Sequence, residues 1–264
     1  MSFQLILPVA PLRHVVRFFW ALDTEAAGEK ERTFKIIADG LPGLVFQRDR
    51  TAFRDRDQQQ LPQLFLYGQN THYYGTLRVK GSFYNLGASL QPVALKILFG
   101  LDAHELTNKL VDLEVLTCRR IAERLSEAPG AREQVSMLES FFLERIRSAA
   151  GADKMQLATE KIRKGLPLKA VQNELGLSER SLQRGFKQYI GISPRLYARI
   201  CRFQSALQAI RRSDFSSLTE LAYRQDYFDQ AHFIRDFHTF AGASPRQFLT
   251  QAREQLPNFP EWLD

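Results

Sequence analysis

SERSLQRGFKQYIGISPRLY runs from Ser178 to Tyr197, and DQAHFIRDFHTFAGASPRQF runs from Asp229 to Phe248, 51 residues later in the same chain. Leu182 corresponds to Phe233, Arg184 to Arg235, and Phe186 to Phe237. Gly191 then corresponds to Gly242, Ser193 to Ser244, and Pro194 to Pro245. Each copy reads as a helix stopped by glycine, then a second helix opened by serine and proline. Two copies are too few for a solenoid, which needs about three units to bury its faces. A module duplicated to touch two equivalent things fits better.

The surrounding segment punctuates itself in the same way. A helix from about Lys154 ends near Gly165, and LKAVQNEL ends at Gly176. Ser178 caps the first repeated helix, Ser193 and Pro194 open a long helix through about Arg212, and Ser217 starts LTELAYRQ. Asp229 caps the second repeated helix, and Ser244 and Pro245 open the last one. That gives seven helices, with each repeated helix preceded by a short helix and a tight turn, which is helix-turn-helix order.

On a helical wheel, Leu182, Phe186 and Tyr189 form an apolar face, while Arg180, Gln183, Arg184 and Lys187 form a separate polar stripe. In the second copy Phe233, Phe237 and Phe240 are the apolar face. The matching stripe is Ala231, Ile234, Arg235 and His238, with Gln230 and His232 beside it. Arginine and glutamine can fork onto guanine or adenine edges in a major groove. The long helix spans roughly 28 Å at about 1.5 Å per residue, close to one turn of DNA. Charge agrees with a polyanionic partner: residues 152–256 hold 17 Lys/Arg against 10 Asp/Glu, whereas residues 1–151 hold 19 against 17.

Residues 152–253 resemble the DNA-binding domain of the AraC/XylS family of transcription regulators, on the strength of the two quoted stretches and their spacing. The resemblance implies two helix-turn-helix units that read double-stranded DNA, with RNA polymerase as a further partner of an activator. It places Arg180, Gln183 and Arg184 in the first recognition helix. It places Gln230, Ala231, His232, Ile234 and Arg235 in the second. The helix starts capped by Ser193 and Ser244 would meet phosphates through backbone N–H groups. Two positions depart from the family pattern: Gln172 stands where alanine is usual, and Asp226 where glycine is usual.

The first hundred residues read as strand. FKIIADGLPGLVFQ is two β-prone runs around an Asp39–Gly40 turn, and RDRTAFRDRDQQQLPQ reads as a solvated loop or hairpin end. LFLYGQNTHYYGTLRVKGSFYNLGASL suggests an antiparallel sandwich or barrel. After Pro92 the pattern turns helical, with Asp102 and Glu105 at capping-box spacing and helical periodicity in two runs between 111 and 149. The fold class is therefore α+β: residues 1–110 a β-rich sensor domain, 111–150 a helical pair, and 152–256 an all-α domain. The family resemblance makes the front cupin-like, a seat for a small-molecule effector or for dimerisation. Tyr67, His72, Tyr74 and Tyr84 are candidate ligand contacts, with rings suited to an apolar pocket and polar tips to anchor a ligand. Leu138, Phe141, Phe142 and Ile146 are candidates for a homodimer face within 112–149, or else pack on the β-rich domain.

Other classes find little support. His14, His72 and His104 are scattered, and Cys118 and Cys201 make neither a metal cluster nor a disulfide framework. There is no G-x-S-x-G elbow and no glycine-rich phosphate loop, so we expect no enzyme, metal or cofactor. No apolar run approaches the ~20 residues that span a bilayer, and no signal peptide is legible, so a cytoplasmic location without membrane contact is expected.

Overall fold

The computed structural model describes residues 1–24, 31–49, 53–54, 59–117, 120–253 and 258–263. Strands β1 (Ser2–Ile6), β2 (Val16–Thr24), β3 (Glu31–Ile36), β4 (Gly43–Gln47), β5 (Phe53–Arg54), β6 (Leu64–Tyr67), β7 (Gly75–Lys80), β8 (Phe83–Leu90) and β9 (Leu110–Asp112) build the front of the molecule. Among the described residues they form two antiparallel sheets. One has the order β1-β2-β8-β4-β6-β9. The other has β3, β7 and β5 and is completed by β10 (Ala252–Arg253) and β11 (Glu261–Trp262), so the end of the chain returns to the front.

Alternation assigns the two faces of the first sheet. Leu44, Phe46, Leu86 and Ala88 face outward into a core shared with helices, whereas Trp20, Leu22, Phe65 and Phe83 face the second sheet. There they join Phe34, Phe53 and Phe259; Phe259 stacks on Phe34 at 4.9 Å. The helices covering the outward face are α1 (Ala94–Phe99), α2 (Leu113–Thr117), α3 (Ile121–Glu127) and α4 (Ala131–Leu143). Tyr84 also turns outward and donates to Gln134 on α4.

Seven helices follow: α5 (Ala152–Arg163), α6 (Leu168–Leu175), α7 (Glu179–Gly185), α8 (Pro194–Arg211), α9 (Leu218–Arg224), α10 (Gln230–Ala241) and α11 (Pro245–Gln251). A π turn over Phe186–Ile190 extends α7 to Gly191. The caps are the ones the sequence indicates. Ser178, Ser193, Ser217, Asp229 and Ser244 each accept from the backbone N–H three residues on, and Ser244 with Gln247 forms a full capping box.

The structure corrects several expectations. Asp39–Gly40 is no hairpin turn, because β3 pairs with β7 while β4 pairs with β6 and β8; the segment crosses between sheets. Phe53, expected in a solvated loop, is buried in β5, and the rest of that stretch at 50–52 and 55–58 lies outside the described residues. Asp102 does not cap; its carboxylate takes Lys96 Nζ at 2.6 Å instead. The second run of the helical pair stops at Leu143, short of 149. Leu138, Phe141 and Phe142 are buried inside the chain; Phe142 stacks on Phe19 of β2, and Ile146 packs on the same core. Of the two roles open to this face, pairing two copies or packing within the chain, the second is the one seen.

Candidate nucleic-acid interface and interdomain cavity

The first unit is α6, a turn and α7. Gly176 takes the left-handed conformation at φ +59° and donates to the last carbonyls of α6, which lets the chain reverse within three residues. Leu182 and Phe186 are buried against α5 and α8, and this orients α7. Arg180, Gln183, Arg184 and Lys187 consequently stand exposed on one face, and Gln183 Nε2 reaches Glu179 Oε1 at 3.1 Å.

The second unit is α9, a turn and α10. Here Asp226 carries the left-handed turn at φ +57°, a conformation that glycine suits best and that aspartate tolerates better than most residues. Arg202 of α8 steadies it by donating to the Asp226 carbonyl at 3.1 Å. Phe233, Phe237 and Phe240 are fully buried; Phe237 meets Phe203, Phe233 and Phe248 edge-on, and Phe240 meets Phe203 tilted. Ala231, Arg235 and His238 are exposed, while Gln230, His232 and Ile234 are half-covered. Gln230 Oε1 accepts from Thr219 Oγ1 at 2.8 Å, and the His232 ring meets Tyr227 edge-on. Phe228, 85% exposed in the turn just before α10, is an unassigned apolar side chain on this surface. Its position inside a turn gave periodicity nothing to register.

One buried ion pair locks α10 to the central helix. Asp236 is 3% exposed, and Arg199 of α8 meets it at 2.6 Å. The pair holds the arginine above its ordinary range, chiefly through that hydrogen bond. The sequence places Asp236 between two stripe residues without showing that it points inward. Ser193 and Ser244 spend their hydroxyls on their own helix starts, at Leu196 N and Gln247 N.

Both repeated helices end on the front of the molecule, at corresponding residues. The Gly191 carbonyl accepts from Thr107 Oγ1 at 2.8 Å. On the second copy, Ala38 N donates to Phe240 O, Tyr73 N to Thr239 O, and Lys35 Nζ to Gly242 O at 3.2 Å. These donors satisfy carbonyls that the end of α10 would otherwise leave open. Lys35 Nζ also lies 3.4 Å from the Trp262 ring centroid, so β11 holds the same clamp.

Between the sheets and α8 lies a cavity of about 500 Å³. Tyr67 and Tyr74 line it; His72, bonded to Thr71 on a loop, and the outward-facing Tyr84 do not. Arg17, Asp39, Arg163, Tyr197 and Cys201 meet at its α8 end. Burial pushes Asp39 up to about 6 against the pull of the Leu41 N–H and Arg17, and pushes the Cys201 thiol up to about 11. Arg17 is held below the usual arginine range, first by burial and then by Arg163. Most of these residues escape a sequence reading because they come from β2, the crossover after β3, α5 and α8.

Two helix-turn-helix units joined by one long helix, with exposed polar stripes on their second helices, define a tandem helix-turn-helix protein. Comparison with known proteins agrees. A model described as a helix-turn-helix domain matches residues 171–251, and one described as a domain of unknown function (DUF6597) matches residues 4–112. HTH-type transcriptional activator RhaS of Salmonella arizonae is 38% identical over 88 residues, 33% of this chain and 31% of that protein. RhaS of Shigella boydii serotype 18 is 36% identical over 85 residues, 32% of this chain and 30% of that protein. The matched part thus spans about a third of these curated relatives. Among solved structures, ToxT from Vibrio cholerae in a P21 form covers 88% of this chain and 98% of its own, at 10% identity and a TM-score of 0.47. ToxT bound to (E)-4-(8-methylnaphthalen-1-yl)but-3-enoic acid covers 95% and 99%, at 12% identity and a TM-score of 0.46. The C-terminal segment, over residues 171–251, is a helix-turn-helix domain. No helix among the described residues is long and apolar enough to cross a membrane.

Proposed function

We propose that this chain is a sequence-specific, double-stranded DNA-binding transcription regulator, an activator whose front half senses a small-molecule effector. The observation that carries the reading is the pair of exposed stripes, Arg180–Gln183–Arg184–Lys187 and Ala231–Arg235–His238, on helices held apart by α8. On DNA, arginines and the amides at the starts of α8 and α11 fix register on phosphates, and the stripes read base edges. The division of labour follows the chain: residues 1–110 sense, 111–150 support them, and 152–256 bind DNA. The protein is a cytoplasmic binding protein rather than an enzyme, with RNA polymerase as its downstream partner. A homodimer through 112–149 would have to use outward residues there, such as Val115 and Leu143.

The alternative is a ligand-independent regulator whose front only dimerises or binds a protein partner. A cavity of about 500 Å³ with a mixed apolar and polar lining favours the effector reading. Selection of bound duplexes from a random DNA pool tests the proposal. A site with two motifs about one helical turn apart supports it. Salt-sensitive binding with no enriched motif sinks it.

A further inference from the structure

We infer that the cavity takes an elongated small molecule with an apolar body, an anionic group at one end and a hydroxyl or N–H donor at the other. This rests on reading the cavity as an effector site, and it adds the ligand's chemistry.

The strand register orders the lining. On the inward face of the first sheet, Ser89 lies opposite Phe18 and Gly43, Gly87 opposite Trp20 and Val45, and Asn85 opposite Leu22 and Gln47. From Ser89 to Asn85 is four residues, about 13 Å at roughly 3.3 Å per residue. The Ser89 end adjoins Arg17 and the helices α5 and α8. Among the lining residues three guanidiniums, Arg17, Arg163 and Arg211, face one carboxylate, Asp39. Arg211 is engaged with Asn258 Oδ1 at 3.3 Å. Arg17 and Arg163 make no ion pair among the described residues, so this end has excess positive charge for an anion to meet.

The middle is flat and apolar. Trp20 lies over Gly87 so closely that a Cβ there would sit 2.2 Å from the ring, so the glycine is what gives the indole its place. Phe65 and Phe259 add walls.

The far end is polar and unsatisfied. Gln47 is 1% exposed and Asn85 4%. Gln47 Nε2 donates to Pro62 O at 2.9 Å, which fixes the amide and leaves Oε1 buried without a partner. Asn85 Oδ1, on the opposed residue, is also buried and unpartnered. Two orphaned acceptors side by side carry a desolvation cost that a ligand donor would relieve.

The test is calorimetric titration of the full chain with 4-hydroxycinnamate, 10-hydroxydecanoate and 3-(4-hydroxyphenyl)propionate. Each is run beside its analogue lacking the hydroxyl and beside its methyl ester. At least one parent acid should bind, and loss of either end should weaken it about tenfold or more. Asn85→Leu should abolish only the hydroxyl preference. Arg163→Gln, at an exposed site that leaves folding intact, should abolish only the acid preference. Failure of all three parents to bind overturns the inference, and so does binding indifferent to both ends. Gel-shift titration of the same preparation against its selected duplex separates the two readings. Intact DNA binding with no ligand binding sinks the ligand class alone. Ligand binding without sequence-selective DNA binding sinks the proposed function alone.

Discussion

Gly242→Ala compared with Gly176→Ala measures how firmly α10 is seated on the front of the molecule. Both glycines stop a helix in the left-handed conformation, at φ +67° and φ +59°. An alanine at either position costs about 1–2 kcal/mol for the backbone alone. At Gly176 the new Cβ meets open space, so that is the whole cost. At Gly242 it would lie 2.7 Å from the Tyr73 ring, whose hydroxyl is held by Thr76. Overpacking of this kind adds about 1–3 kcal/mol. Gly242→Ala should therefore destabilise the protein by about 1–3 kcal/mol more than Gly176→Ala. Adding Tyr73→Ala should remove most of that excess as a coupling energy. Urea denaturation followed by tryptophan fluorescence reads the effect well, because Trp20 and Trp262 both lie in the sheets. Equal costs for the two glycine substitutions, or no coupling to Tyr73, would refute the idea that this contact is tightly packed.

Arg184→Ala should weaken binding to the selected duplex more than Arg235→Ala, since the first stripe is richer in base; about 1–3 kcal/mol is expected for a lost base fork, read by gel shift, and the reverse order would overturn the ranking. Asp236→Ala should cost about 2–4 kcal/mol by chemical denaturation, somewhat below a fully buried pair because Arg199 can turn to water, and a double-mutant cycle with Arg199→Ala should recover most of it; a cost under about 0.5 kcal/mol would make the pair a surface contact. Asp39 has a folded-state pKa raised to about 6, so it binds a proton in the fold that it lacks in the unfolded chain; its contribution is present below about pH 4 and is lost as pH rises through about 6. Asp39→Asn should flatten that part of the stability–pH curve, and an unchanged slope would refute the assignment.

What was legible in the sequence was local. N-caps, glycine stops and stripe residues depend on neighbours within four positions, and the helices begin at Ser178, Ser193, Ser217, Asp229 and Ser244 as the side chains dictate. Partnership between distant segments was not legible. Nothing in FKIIADGLPGLVFQ distinguishes a hairpin from a crossover, because both need the same turn residues; the choice rests on which sheet buries Phe34 and which buries Phe46. The cavity was half legible. In GLVFQ, Gln47 keeps the parity of Val45, so a period-2 reading would have placed a lone amide facing inward. Tyr84 was misplaced by the same parity, one residue from Asn85 on β8. The return of Phe259 and Trp262 to the front sheets had no local signal.

The duplication has one consequence that neither copy alone would show. The polar stripes of α7 and α10 carry exposed residues, while the glycines that end the two repeated helices, 51 residues apart and equivalent in the repeat, are both held by the front of the molecule. The helix α8 fixes the spacing of the two units along its length, and the Arg199–Asp236 pair fixes α10 against it. Thr107 at one glycine, and Lys35, Ala38 and Tyr73 at the other, add a second link from the opposite side. Two links across one pair of helices make a closed frame. The cavity lies inside that frame, touching β2, the crossover at Asp39, α5 and α8 at once. On the proposed effector reading, a molecule seated there is expected to act on both sides of the frame, so that its effect on DNA binding falls on both stripes together rather than on one.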